Sequence, residues 1–423
     1  MQEAFLHYLW KYKKLDLSRL TTTAGETIVV KNVGQHNLLA GPDFFNAQIE
    51  IAGQHWAGNV EIHTASSDWF LHNHEQDKAY QNVILHVVWE HDTEVFRKNN
   101  TPIPTLQLKN YINPQLLSNY KELFNNKSTW INCESQFHTV SEFIVNNWLE
   151  RLYLERLERK SKIINELLVQ SKNNWEAVLF TLLAKGFGQK INNEAFVSLA
   201  QSVNFSIIRK LHSNPIQLEA LLFGQAGLLE DNHQDAYYIQ LQKEYKFLKQ
   251  KFQLNNQGVL PMQFFKLRPP NFPTIRLSQL AMLYNKHQNL FSKIIDLNDI
   301  EAFYNLFKAE TTPYWKTHYT FGKTSKQVSK TISKPMVYLL LINTVIPIKF
   351  AYAKQHAASN NEELLKLIQQ LPPEKNSIIT AYNNLQPIAK SALQSQALIQ
   401  LKTEYCDKHK CLFCAIGNNL ISQ

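Results

Sequence analysis

The alternation of apolar and polar positions divides the chain into a strand-rich first part and a helical remainder. Phe5, Leu6, Leu9 and Trp10, at i, i+1, i+4, i+5 spacing, predict an opening helix. Glu26–Val33 reads as a strand punctuated by Gly34, and Gly41-Pro42 forces an extended or turn geometry just before Asp43. Phe45–Ala52 alternates as a strand, Gly53-Gln54 as a hairpin turn, and His55–Thr64 as the returning strand. There Trp56, Val60 and Ile62 fall on even positions, so Glu61 and His63 stand side by side on the other face. Ser67-Asp68 reads as a cap opening a polar helix that runs to Asn82. Val83–Trp89 is nearly continuous apolar sequence, as in a strand buried on both faces, and the prolines of Thr101–Leu108 put that strand at an edge.

From about residue 112 the period becomes helical. Trp148–Leu168 carries Leu149, Leu152, Tyr153, Leu157, Ile163, Ile164, Leu167 and Leu168 on one side, with arginines and lysines on the other. Further helices are predicted near 174–187, 193–201, 205–212, 216–223, 234–252, 276–309 and 336–402, with Gly224 closing the fourth of the set. Met336–Ile348 predicts a buried helix ending at Pro347. Residues 255–275 are proline-rich and irregular, and the Lys/Thr/Ser-rich stretch 316–334 is expected to be a mobile loop. The expected fold class is α+β: a small mixed-sheet domain over 1–111, then a mainly helical region over 112–423 that ends in a cysteine motif at 405–417.

Composition adds two constraints. A hydrophobic fraction of 44% and a charged fraction of 19% are those of an ordinary globular chain. No uninterrupted apolar run reaches membrane-spanning length, and the N-terminus has lysines after its apolar part rather than before it, so neither a membrane span nor a signal peptide is expected. The cytoplasm is the expected location. Charge is uneven: residues 1–140 hold 11 Lys+Arg against 14 Asp+Glu, residues 141–423 hold 33 against 21. A basic remainder beside a slightly acidic site region suits the grip of a polyanion such as nucleic acid; solvated lysine-rich helices are the plainer explanation.

Chemistry concentrates in residues 41–91, where six of the fifteen histidines lie between His55 and His91. Asp43 leads into one strand and Glu61-x-His63 lies on the next, and hairpin partners are about 5 Å apart. Two carboxylates are hard ligands suited to Mg²⁺ or Mn²⁺, and His63 would position a water. A structural hairpin with surface acids is the alternative. His72-x-His74 with Asp77 can supply further ligands or contact substrate, although residues two apart on a helix do not share a face. His86, inside an apolar strand, fits a core histidine. Cys406-x4-Cys411-x2-Cys414 has metal-site spacing for Zn²⁺ or a [4Fe–4S] cluster, with Cys133 or His409 as the fourth ligand. Arg268 and Arg276, around Phe272, are candidates for nucleic-acid contacts or for a packed connector.

The order helix, strand, acid opening the next strand, acid-x-basic strand, helix, strand resembles the PD-(D/E)XK nuclease core over residues 1–92, about a fifth of the chain. That resemblance implies that Asp43 and Glu61 bind the metal, with His63 standing where the family has a lysine. Along the whole chain, GPDFFNAQIEI, GNVEIHTASSDW, LEALLFGQAGLL, LRPPNFPTIRL and YCDKHKCLFCAIG resemble a bacterial domain-of-unknown-function family. The reading that follows is a metal-dependent phosphodiesterase acting on nucleic acid. Two others compete with it: a non-catalytic nucleic-acid or protein-binding module on a degenerate nuclease core, and a His/Asp metalloenzyme acting on a small substrate.

Overall fold

A computed structural model describes residues 1–125, 129–357 and 361–423. The fold is α+β, and the chain forms two compact units: Met1–Trp148 together with Leu401–Gln423, and Leu149–Gln400. The first unit therefore extends past the expected boundary at 111 and takes back the C-terminal segment.

The first unit is built on a mixed sheet of strands β1 (Ile28–Asn32), β2 (Gln35–His36), β3 (Phe44–Ile51), β4 (Gln54–Ala65), β5 (Val83–Glu90) and β6 (Thr105–Gln107). The spatial order is β1-β3-β4-β5-β6, with β2 also on β3. β1, β3 and β4 pair antiparallel, whereas β5 runs parallel to β4 and β6 parallel to β5. The hairpin turn is Ala52-Gly53, one residue earlier than expected, with φ of 49° and 80°; a two-residue hairpin loop of the mirror-image type needs positive φ at both centres. Phe44, Ala47, Ile49, Ile51, Val60 and Ile62 are buried, as alternation predicts, and β5 is buried through Val88. The opening helix α1 (Glu3–Lys11) buries Phe5, Leu6, Tyr8, Leu9 and Trp10 and packs against β4.

The polar stretch after β4 is not the long helix expected. Helix α2 covers only Asp68–Leu71, and Asn73, with φ of 59°, turns the chain away. An asparagine tolerates the left-handed region that stops a helix. A 3-10 turn at Lys78–Tyr80 follows, and Trp69, Tyr80, Val83, Val95 and Ile103 form a small core beneath. Helix α3 (Pro114–Asn125) lies against the C-terminal helix Ala415–Ser422.

Helix α4 spans Glu142–Gln170, and within the second unit α5 (Trp175–Gln201) is interrupted at Gln189, with φ of 52° and ψ of −152°, where the sequence pattern also breaks. α6 (Phe205–Leu211), α7 (Pro215–Gln225), α8 (Ala236–Phe252) and α9 (Pro273–Lys286) follow. Gly224 does not close α7; it lies inside the helix against Tyr245, and Gly227, with φ of 73°, makes the turn. Nor does Pro347 end its helix. Residues Leu341–Val345 widen into a π turn and the helix continues over Ile346–Gln355. The wider turn accommodates a ring that has no N–H to donate. Lys334–Gln355 is the one helix among the described residues long and apolar enough to cross a membrane, and 78% of its apolar window is buried inside the protein. The stretch 316–334 is ordered: His318–Thr320 pairs with Lys323–Thr324, and the buried Lys330 donates to the carbonyls of Trp315 and Lys316.

Candidate functional site

One β-bulge places the two predicted acids. From Ile51 to Ala47, β3 pairs with β4 in regular steps, Ala47 facing Gly58; then Phe44 faces Val60. One extra residue sits in β3, and Asn46 takes it up with φ of 55°. Continued one step, the register sets Asp43 across from Glu61 on the same face; were Asn46 paired in the ladder instead of bulged out of it, Asp43 would oppose Ile62 and point through the sheet. Bulges re-aim side chains in this way. The loop before Asp43 is wound around one amide: Asn37 Nδ2 donates to the carbonyls of Leu39, Ala40 and Pro42.

Asp43 and Glu61 are then locked together by backbone donors. The Asp43 N–H donates to Glu61 Oε2 at 3.2 Å, and the Ile62 N–H to Asp43 Oδ2 at 2.9 Å. On the far side of Glu61, Oε1 lies 3.4 Å from His63 Nε2 and 3.4 Å from His74 Nε2. His63 bridges inward to His86 (Nδ1 to Nε2, 2.8 Å) and outward to His72 (Nε2 to Nδ1, 3.2 Å). The turn at Asn73 is what lets His72 and His74 both face His63, against the helical expectation. Nitrogens of His63, His72 and His74 lie within 4.8 Å of one another.

Two residues join that sequence reasoning did not single out. Glu3 and His7, four apart on α1 and so on one helix face, bring ligand atoms within 4.8 Å of an Asp43 oxygen and of each other; His7 Nε2 is 3.2 Å from Asp43 Oδ2. Their spacing beside the apolar pair Phe5–Leu6 was the available signal. The cluster grades inward from exposed Glu3 and His72, through half-buried His7, Asp43 and His74, to a floor of Glu61, His63 and His86 at 5%, 2% and 0% exposure.

The electrostatics follow the burial. Burial, then the charge of Asp43, pushes the Glu61 carboxyl up to about 9. Burial, then His74 and His72, brings His63 down to about 4. The Glu61–His63 contact is therefore between neutral groups at pH 7. Burial also lowers His74 and, more strongly, His86. At His7 burial acts downward, but the close contact and charge of Asp43 outweigh it and hold the imidazole above its ordinary value. Among the described residues, the buried His7 Nε2 and His74 Nε2 have no well-formed hydrogen bond, although each faces a carboxylate.

The remaining predicted residues lie elsewhere. Asp77 caps the Lys78–Tyr80 turn, accepting from the Ala79 N–H at 2.9 Å. Arg276 is buried in the second unit, its guanidinium bonded to Gln279 and Asn271 at 2.8 and 2.6 Å, and packs as a connector would; Arg268 stays exposed. Cys133, Cys406, Cys411 and Cys414 all line one hollow in the first unit. Burial pushes Cys411 up to about 12 and Cys414 up to about 11, with the Gly417 and Ile416 N–H groups acting downward at Cys414.

Fold and site together define an α+β protein with a carboxylate–imidazole cluster on one face of a mixed sheet, at the mouth of its central hairpin. The chain belongs to the family described as a protein of unknown function (DUF2851), whose family model matches residues 3–377. That match ends before the cysteine trio. No curated protein and no solved structure matches the chain.

Proposed function

We propose that the protein is a metal-dependent phosphodiesterase that hydrolyses nucleic acid, with Mg²⁺ or Mn²⁺ held by Asp43 and Glu61 and with Glu3 and His7 in reach. The observation that carries this is the enforced closeness of Asp43 and Glu61, a pair that holds a proton on Glu61 unless a cation replaces it. The donor set fits such an ion: carboxylate oxygens with imidazole nitrogens lacking well-formed hydrogen bonds, a mixture that favours Mn²⁺ over Mg²⁺. When bound, the ion polarises a phosphoryl oxygen and acidifies a water. The chain's own residues do the rest. Ile62 N–H and His7 orient Asp43; His63, fixed between His86 and His72, orients the Glu61 side. His7, at the accessible edge and held toward its protonated form by Asp43, is placed to give a proton to the oxygen that leaves as the P–O ester bond breaks, while the attacking water releases its proton to solvent. The order of strands around Asp43 and Glu61 supports the likeness to PD-(D/E)XK nucleases, and the basic remainder of the chain supports a polyanionic substrate.

The test is cleavage of labelled single- and double-stranded DNA and RNA with Mn²⁺ or Mg²⁺, compared with Asp43→Asn and Glu61→Gln. Cation-dependent cleavage lost in both variants is the expected result. Cleavage unchanged in Asp43→Asn, or no cleavage with any substrate, overturns it. Salt-sensitive binding without cleavage would identify a binding module instead. The closeness of His63, His72 and His74 favours one second reading, a Zn²⁺ or Fe²⁺ enzyme acting on a small substrate; His72→Ala would then abolish activity while Asp43→Asn spared it.

A further inference from the structure

The chain has four cysteines, and all four converge on one hollow of the first unit, lined otherwise mainly by Leu123, Ile131, Phe137, Leu401 and Ile416. They arrive from two distant segments. Cys133 sits in the turns after α3; Cys406 ends a π turn over Leu401–Cys406; Cys411 opens the 3-10 turn Cys411–Phe413; Cys414 is the N-cap of the last helix.

The backbone between the last three is bent in a way that aims sulfurs inward. His409 adopts φ of 50°, and its N–H returns to the Cys406 carbonyl at 3.1 Å. The Cys414 N–H donates to the Cys411 carbonyl at 3.2 Å, and Gly417 approaches so closely that a Cβ there would lie 2.2 Å from that oxygen. Positive φ at a histidine, a π turn and an obligatory glycine within one short segment are local strains that a terminal helix does not need for packing. The two segments are also tied beside the hollow: His409 Nδ1 lies 3.2 Å from Asn132 Oδ1, and the Lys402 ammonium sits over the Trp130 ring. None of the four thiols is in a disulfide.

We propose that Cys133, Cys406, Cys411 and Cys414 form a four-thiolate metal centre, taking Zn²⁺ or a preassembled [4Fe–4S] cluster, that fastens the C-terminal segment onto the first unit. On binding, four S–H bonds are exchanged for four S–metal bonds and the protons pass to solvent, with no change in the oxidation state of the metal. The backbone N–H groups of Ile416 and Gly417 act to favour the thiolate form of Cys414, as suits a metal-bound sulfur. Four thiols packed as small apolar groups would not need the inward bends.

The test is the metal content of the full chain, expressed with iron and zinc supplied and purified without oxygen. About one zinc per chain in colourless protein gives the zinc form; about four irons with matching acid-labile sulfide and a brown colour give the cluster. Cys411→Ser/Cys414→Ser should lose that metal, whereas Asp43→Asn/Glu61→Gln should keep it, which separates this centre from the carboxylate site. Should the cysteine variant fail to fold, Co²⁺ substitution of the wild type provides the second readout, with strong thiolate charge-transfer absorption expected. The proposal falls if the wild type contains no metal and takes up neither Co²⁺ nor a reconstituted cluster. It falls equally if the cysteine variant retains full metal content.

Discussion

Asp43 and Glu61 meet across the β3–β4 hairpin because of a single extra residue, Asn46, held at φ of 55°. Side chains on a strand alternate, so a slip of one position reverses every face between the slip and the strand end. Deleting Asn46 should give a regular ladder, with Phe45 facing Asn59, that still sets Asp43 across from Glu61, so Mn²⁺ binding by calorimetry should survive. Asn46→Val, which keeps the residue count but dislikes that backbone region, should retain binding and lower stability by about 1–2 kcal/mol. Loss of Mn²⁺ binding in the deletion variant would show that the register of β3 on β4 does not by itself set the site.

The Glu61 carboxyl gives the metal-free protein a definite pH response. It is pushed up to about 9 in the fold from its ordinary value of 4.5. Between these values the folded state binds more protons than the unfolded one, so this group's contribution to stability is complete below about 4.5 and is lost as pH rises through 9. The difference between wild-type and Glu61→Gln denaturation curves should therefore narrow with rising pH across that window. His63 is shifted in the opposite sense, to about 4, so below its ordinary range it favours the unfolded state; the difference curve cancels that contribution. A difference that is flat with pH would mean that Glu61 is not held neutral.

Much of this arrangement was legible in local pattern, and what was not had a common cause. Alternation around Glu61 and His63 fixed which side of β4 they share, and Gly41-Pro42 marked the extended entry of Asp43. The bulge was invisible because Asn46 in FNAQ resembles any exposed strand residue; only pairing with β4 reveals the extra position. His72 and His74 were misread as divergent because the capping residues promised a helix that Asn73 cuts short. Glu3 and His7 were passed over because the apolar face of α1 dominated its pattern. At Pro347 the local rule for helix ending yielded to burial, since Leu341, Ile342, Val345, Ile346 and Ile348 all had apolar partners to gain by continuing.

Metal binding should be visible as stability. A ligand that binds only the folded state at about 100 times its Kd adds about 2.7 kcal/mol. Thermal unfolding of the wild type should shift upward with Mn²⁺ to that extent, and Asp43→Asn should show no shift at the same concentration. Asparagine can still accept from the Ile62 N–H, so its metal-free melting temperature should stay near that of the wild type. His86→Gln, which touches only His63 among these groups, should weaken Mn²⁺ binding by roughly 10–100-fold without abolishing it, as loss of a ligand-orienting partner does. Full loss in His86→Gln would place His63 at the ion itself.

In the second unit, Gly224 offers a test of packing against propensity. Glycine to alanine inside a helix ordinarily stabilises by about 1 kcal/mol. Here the added Cβ would stand 2.1 Å from the Tyr245 ring, which is itself buried and fixed by its hydroxyl donating to Gln225 Oε1 at 2.9 Å. Overpacking of this kind costs about 1–3 kcal/mol, and a ring pinned at its far end cannot swing aside cheaply. Gly224→Ala should therefore lower the melting temperature, by about 2–4 °C for each kcal/mol in a unit of this size. In a Tyr245→Ala background, where no Cγ remains at the contact, Gly224→Ala should no longer destabilise, since the helix gains its alanine without the clash. If Gly224→Ala alone raises the melting temperature, helix propensity outweighs the contact, and α7 and α8 can separate enough to admit a methyl group.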